Sequence, residues 1–312
     1  MAMIADGIYL VDQGLEGKVV TSCVYLVMGE RAALVDVGAT KRAVGLPERL
    51  KDLGIDADKI AYIMPTHIHA DHAGATGYLS QLYPGARVVV HQAGARHLID
   101  PSRLIESTRA IFGRDAEEYF GRIVPVRPER LLATTGGELI DLGGGRRLRV
   151  IDTPGHAPHH QSFYDESTRG VFTGESMGIY HPDLELVTPA IAPPFFDAFI
   201  AIASMRKTAS LRPERFYYAH GGVQESVDGA ADRQVDAILS RAEVVRQAMR
   251  EDPSPTHVAA RVCLQVTEEL RAAAQARGIT APPPKDVHLS VGGLMGFFNK
   301  FGLDVDLSGL RG

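Results

Sequence analysis

Within His67-Ile68-His69-Ala70-Asp71-His72, four of six side chains can bind a transition metal. The run reads His-x-His-x-Asp-His. Before it comes Ile60-Ala61-Tyr62-Ile63-Met64, short and apolar like a buried strand. Pro65 has no N–H to donate and ends that strand. His67 and His69 therefore fall on a loop at the strand's C-terminal edge. Alternate residues of an extended segment point the same way, so these two imidazoles can share one metal. Asp71 and His72 come where a helix is expected, roughly over residues 72–82, and turn toward a second ion. This spacing suits two metals, and imidazole with carboxylate fits zinc, iron or manganese. A single histidine among the 12 in this chain reads as structural; three with an aspartate in six residues do not.

Three further candidates lie downstream, each past an apolar strand-like run. Thr153-Pro154-Gly155-His156 follows Leu148-Arg149-Val150-Ile151, and Pro and Gly make the turn that presents His156. Phe172-Thr173-Gly174-Glu175 ends a short run in a carboxylate. Phe216-Tyr217-Tyr218-Ala219-His220 ends an aromatic run in a histidine before two glycines. Sites gather at such edges because strands hold the backbone while loops supply side chains.

On these four motifs, in this order and spanning about residues 5–225, the chain resembles the metallo-β-lactamase superfamily of hydrolases. The resemblance implies an α/β (α+β) fold, the four-layer αββα sandwich, with metals at one edge. By position, His67, His69 and His156 would bind one metal, Asp71, His72 and His220 the second, and Glu175 would bridge them. The family usually has Asp where this chain has Glu175. Glu reaches one methylene further, so it can bridge or bind one metal through both oxygens, and it alters the metal–metal spacing it favours.

Two metals would acidify a water between them to a hydroxide near neutral pH and stabilise the oxyanion formed at a carbonyl or phosphoryl centre. Such chemistry requires no serine or cysteine nucleophile, and Cys23 and Cys263 lie in apolar surroundings. Asp71 can also pass a proton to the leaving group. Asp36, in Val35-Asp36-Val37-Gly38, matches the family's aspartate that supports the metal loop; the plainer reading is a turn aspartate bonding its own backbone. Thr66 and His160 are further candidates for steadying the ligands. Tyr180, His181 and Phe195 are candidates for touching substrate, against the plainer reading of interior packing.

The 312 residues suit one large domain with an appendage, and 45% apolar content suits a packed core. The net charge of −5, from 33 basic and 38 acidic residues interspersed, shows no basic tract of the kind nucleic acid requires. Two cysteines make no disulfide framework, so a cytoplasmic setting fits. Residues 1–7 lack the charged start and apolar core of a signal peptide, and no apolar run is long enough to span a bilayer.

Residues 5–40 alternate strand-like runs with glycine turns, the pattern of an antiparallel meander. A helical stretch follows from about residue 92 to 121. Gly143-Gly144-Gly145 reads as a hairpin turn. Residues 1–225 form the catalytic part and 226–312 a helical extension expected to pack on it. In that extension Ser254-Pro255 opens a helix, and Asp286 is expected to cap an apolar segment, 287–301. A neighbouring subunit in a homodimer, or the active-site mouth, are alternative partners for that segment.

The reading is a hydrolase with two divalent ions, zinc first, acting on a small-molecule ester, lactone or thioester. Alternatives are a phosphodiesterase, an iron-dependent oxygen or sulfur enzyme on the same scaffold, or a binding protein that keeps the fold.

Overall fold

Apolar Val24–Met28 (β3) and Ala32–Val35 (β4) flank a tight turn at Gly29, where the chain reverses. They sit among neighbours that the computed structural model describes over residues 2–12 and 22–311. Ala2–Ala5 (β1) and Ile8–Asp12 (β2) extend the antiparallel meander. The glycine turn expected between β2 and β3 lies at residues 13–21, outside the described residues. Ile60–Met64 (β5), Arg87–His91 (β6) and Leu131–Thr134 (β7) then add in parallel to β4. The described strands make a seven-stranded sheet in sequence order.

Side chains alternate across these strands, and the alternation sorts them into two cores. Val24, Leu26, Ala32 and Leu34 face one way. Their core is completed by helices Thr40–Ala43 (α1), Leu46–Asp52 (α2), Ala70–Ala73 (α3), Thr76–Leu82 (α4) and Gln92–Ile99 (α5), through residues such as Leu46, Leu79 and Leu98. Tyr25, Val27, Ala33 and Val35 face the other way, onto Ile140, Leu148, Phe163, Phe172 and Tyr217. Each fully buried aliphatic or aromatic side chain contributes roughly 1.5–3 kcal/mol.

Those partners belong to a second sheet. Its strands are Leu139–Gly143 (β8), Arg146–Asp152 (β9), Gln161–Asp165 (β10) and Gly170–Gly174 (β11), with two later strands. After a separate hairpin of Ile179–His181 (β12) and Leu186–Thr188 (β13), Arg215–Tyr218 (β14) pairs in parallel with β11, and Gly222–Glu225 (β15) closes the edge. The glycine run at 143–145 makes the β8–β9 turn as expected, all three at positive φ.

Parallel strands end at a common edge, so loops that follow them meet. Asp36 follows β4 and Thr66 follows β5; the Asp36 N–H donates to the Met64 carbonyl at 3.2 Å. β9, β11 and β14 share one sense, because β10 lies antiparallel between β9 and β11.

The helix expected at 72–82 is instead two short ones, α3 and α4. The His72 carbonyl, which a continuous helix would offer to Thr76, accepts the Val37 N–H at 2.9 Å and the Gly38 N–H at 3.1 Å. The stretch 92–121 is likewise divided, into α5, Ser102–Phe112 (α6) and Ala116–Phe120 (α7), with breaks at Pro101 and Gly113.

The chain divides into two compact units that do not follow a single linear boundary. One holds Met1–Asp152, His159–Gly174 and Arg212–Ser226; the other holds Thr153–Pro158, Glu175–Leu211 and Val227–Gly312. Among described residues the second unit contains the β12–β13 hairpin and helices Ala198–Ser210 (α8), Ala230–Glu251 (α9), Pro255–Arg277 (α10) and Val287–Phe301 (α11). Ser254 caps α10, its hydroxyl accepting the His257 N–H. Asp286 stands at the N-cap of α11 but makes no side-chain cap bond: its φ of 53° takes the backbone through the left-handed region. No helix among the described residues is long and apolar enough to cross a membrane.

Candidate metal centre

Asp36 is the hub of the first unit's histidine cluster. Its Oδ1 accepts the Thr66 N–H at 2.8 Å. Thr66 Oγ1 lies 3.1 Å from both Asp36 oxygens and 3.1 Å from His67 Nδ1. A hydroxyl has one proton to give, and the carboxylate can only accept. The network therefore assigns the Thr66 O–H to Asp36 and a proton on His67 Nδ1 directed at Thr66 Oγ1. That leaves His67 Nε2 as the nitrogen that could bind a metal, 3.0 Å from His69 Nδ1. Asp36 Oδ2 also lies 3.3 Å from His72 Nδ1, so one carboxylate steadies a histidine of each expected metal site.

His72 Nε2 is 3.1 Å from Asp71 Oδ2, and His220 Nε2 is 3.4 Å from the same oxygen. Asp71, His72 and His220 offer ligand atoms within 4.8 Å of one another. Burial alone would push the Asp71 carboxyl up. The His72 charge and the hydrogen bonds from His220 and His72 outweigh it and hold Asp71 well below the usual carboxylate range. Burial also pushes His72 down, and Asp71 with Asp36 more than reverses this, raising it well above an ordinary imidazole. Such concentrated opposite charge with convergent N and O donors fits a divalent transition metal.

The loops that bring these residues together are tied by backbone. The Ser22 N–H donates to the Asp71 carbonyl, and the Cys23 N–H to the Ala219 carbonyl. His160 stacks on His67 at 5.0 Å between ring centroids, because Gln161 beside it bonds back to the Thr66 and Pro65 carbonyls. Gly174 makes this possible: a Cβ there would lie 2.5 Å from His160 Nε2 and 2.7 Å from Thr66 Oγ1. His159 was not singled out from sequence, yet its Nδ1 accepts the Ile68 N–H at 3.5 Å inside the 67–72 run. Its place in His156-Ala157-Pro158-His159-His160 was the available signal.

In the second unit His156 Nε2 lies 2.9 Å from Glu175 Oε2, and His156 Nδ1 lies 3.0 Å from the Ala190 carbonyl. Tyr180 and His181 sit on the β12–β13 hairpin of the same unit, with His181 Nε2 3.0 Å from Thr188 Oγ1. Burial raises the Tyr180 phenol, with Glu185 adding to it. Phe195 is 66% exposed, whereas Phe196 beside it is buried. Gly174-Glu175-Ser176-Met177-Gly178 spells Gly-x-Ser-x-Gly, which the ligand reading passes over. That pattern makes a nucleophile only on a strand-to-helix elbow. Here the element that follows the turn is a strand, β12, and Ser176 is buried.

A family model described as the metallo-beta-lactamase superfamily matches residues 17–220. The chain belongs to this superfamily. Its two sheets and helices are those of the superfamily's αββα sandwich, with a helical C-terminal region. A metallo-beta-lactamase fold-containing protein of Sulfurisphaera tokodaii is 31% identical over 204 residues, 64% of this chain and 72% of its own. The N-acyl homoserine lactonase AttM of Rhizobium johnstonii is 30% identical over 119 residues, 38% of this chain and 41% of the lactonase. Among solved structures, an archaeal metallo-beta-lactamase superfamily protein from Sulfolobus tokodaii superposes with a TM-score of 0.61 at 27% identity, covering 75% of this chain and 86% of that one.

Proposed function

We propose that this chain is a binuclear metal-dependent hydrolase that cleaves a carbonyl ester, lactone or thioester of a small molecule. His67, His69 and His156 would hold one ion, Asp71, His72 and His220 the other, and Glu175 would stand between them; zinc is the ion of choice. Residues 1–225 carry the chemistry and 226–312 form a helical extension.

The carrying observation is the Asp36 network. It holds the Nδ1 sides of His67 and His72, directly or through Thr66, and leaves both Nε2 atoms for metal. The placement of His156 and Glu175 is supported by chain order. β9, β11 and β14 end at one edge, and His156, Glu175 and His220 follow those three ends by four, one and two residues. When bound, the ions supply an acidified water and positive charge against a developing oxyanion. Asp71 keeps a side-chain exposure of 22% against 0% for His72, which suits it to pass a proton to the leaving group. The likeness to a lactonase puts lactones first among substrates to try.

Elemental analysis of purified protein, with a screen of lactones, esters and thioesters, tests this. Two ions per chain are expected, with hydrolysis lost in His69→Ala and retained in Glu175→Asp. Hydrolysis that survives in His69→Ala overturns the proposal.

A further inference from the structure

We infer that α11, the glycine-rich helix near the C-terminus, is a positioning element for His156. This rests on the reading of His156 as a metal ligand. A carbonyl only accepts, so the Ala190 carbonyl, 3.0 Å away, fixes a proton on His156 Nδ1 and leaves Nε2 to bind. The direction of His156 therefore depends on where Ala190 is held.

Ala190 opens a segment that runs over α11. A Cβ on Gly293 would lie 2.7 Å from Ile191 Cγ2 and 3.2 Å from the Ala192 carbonyl carbon; on Gly292 it would lie 3.2 Å from Pro193 Cγ. Only glycine lets the helix approach this closely. Glycine is a poor residue inside a helix, so its use at 292 and 293 is consistent with packing that no side chain would allow.

A second tether starts from the same helix. Lys300 Nζ lies 3.1 Å from Asp197 Oδ2. The Asp197 N–H donates to the Gly155 carbonyl at 3.0 Å, and its Oδ1 caps α8 by accepting the Phe199 and Ile200 N–H groups. Gly155 is the residue before His156. One helix thus braces both the acceptor of the His156 ring and the backbone that carries it.

The test uses full-length protein and Zn²⁺ alone, with each ion's affinity read by competition with a chromophoric chelator beside the melting temperature of metal-free protein. Gly293→Ala is expected to weaken, by on the order of 10-fold, the ion that His156→Ala removes. The ion that His72→Ala removes stays at its wild-type affinity. Gly296→Ala, whose Cβ would meet only the Pro194 carbonyl oxygen at an ordinary 3.8 Å, leaves both ions unchanged. A Gly293→Ala protein with a lower melting temperature but wild-type affinities overturns the inference, as does equal weakening of both ions. Lys300→Ala alters an exposed side chain and decides the matter if Gly293→Ala does not fold: the same ion weakens several-fold, and wild-type affinity overturns the inference. If His156→Ala itself removes no ion, the ligand reading fails, a result distinct from any of these.

Discussion

The carboxylate of Asp36 lies 3.3 Å from His72 Nδ1 while also accepting the Thr66 N–H at 2.8 Å, so a residue 36 positions upstream orients a buried histidine of the 67–72 run. Asp36 itself is held at φ 47°, a conformation that aspartate tolerates better than most residues. Asp36→Asn keeps the shape and loses the charge. Zinc affinity is expected to fall by about 10- to 100-fold, measured by chelator competition. Thr66→Val removes the hydroxyl between Asp36 and His67 but keeps the Thr66 N–H bond to Asp36 and the Asp36 contact with His72, so it should weaken the ion at His67 more than the ion at His72. Equal loss of both in Thr66→Val would contradict the wiring described.

On the proposed ligand set, zinc and protons would compete at His72. Asp71 and Asp36 raise the metal-free imidazole well above its ordinary value, which favours a proton that an incoming zinc ion would have to displace. Calorimetric titration in buffers of different ionisation enthalpy should show proton release on zinc binding, smaller in His72→Ala. The linkage signs follow. The His72 contribution to metal-free stability is full below its ordinary pKa, about 6.5, and is lost as pH rises through its raised folded value. The Asp71 contribution is full above about 4 and is lost on acidification through its lowered folded value. The stability of metal-free protein, read by denaturation across pH, should therefore peak between those limits.

Gly174 has φ +54° and no room for a Cβ beside His160 and Thr66. Gly174→Ala adds backbone strain and displaces both neighbours. A loss of about 1–3 kcal/mol in chemical denaturation is expected, together with weaker zinc binding. A variant with wild-type affinity would show that His160 and Thr66 can shift without consequence.

Away from the site, Arg146 pairs with Asp165 at 2.8 Å, with side-chain exposures of 7% and 0%, and also donates to the Asp6 carbonyl. Arg146→Met leaves the Asp165 charge buried without its partner. It should cost about 3–5 kcal/mol in denaturant unfolding while leaving zinc stoichiometry unchanged.

Local pattern carried a large part of this protein. The apolar run before Pro65, the histidine spacing after it and the strand-like runs before residues 156, 175 and 220 were readable because burial periodicity and turn chemistry act over a few residues. The order of the four motifs carried the superfamily. Partners far apart in sequence were another matter. His220 meets Asp71 across 149 positions where the adjacent Ser22 and Cys23 N–H groups bond the Asp71 and Ala219 carbonyls, and no local signal specifies such distant partners. The break of the 72–82 helix came from Val37 and Gly38 claiming the His72 carbonyl, a long-range bond that outcompetes helix propensity. The role of Thr66 was expected only in outline; that its hydroxyl links Asp36 to His67 follows from three distances set by β4 and β5 ending side by side. Nothing local in the sequence says why α11 carries Gly292 and Gly293; the approach of Pro193 and Ile191 shows what their missing side chains serve. Composition and spacing chose the donor atoms, and strand pairing chose which of them face one another.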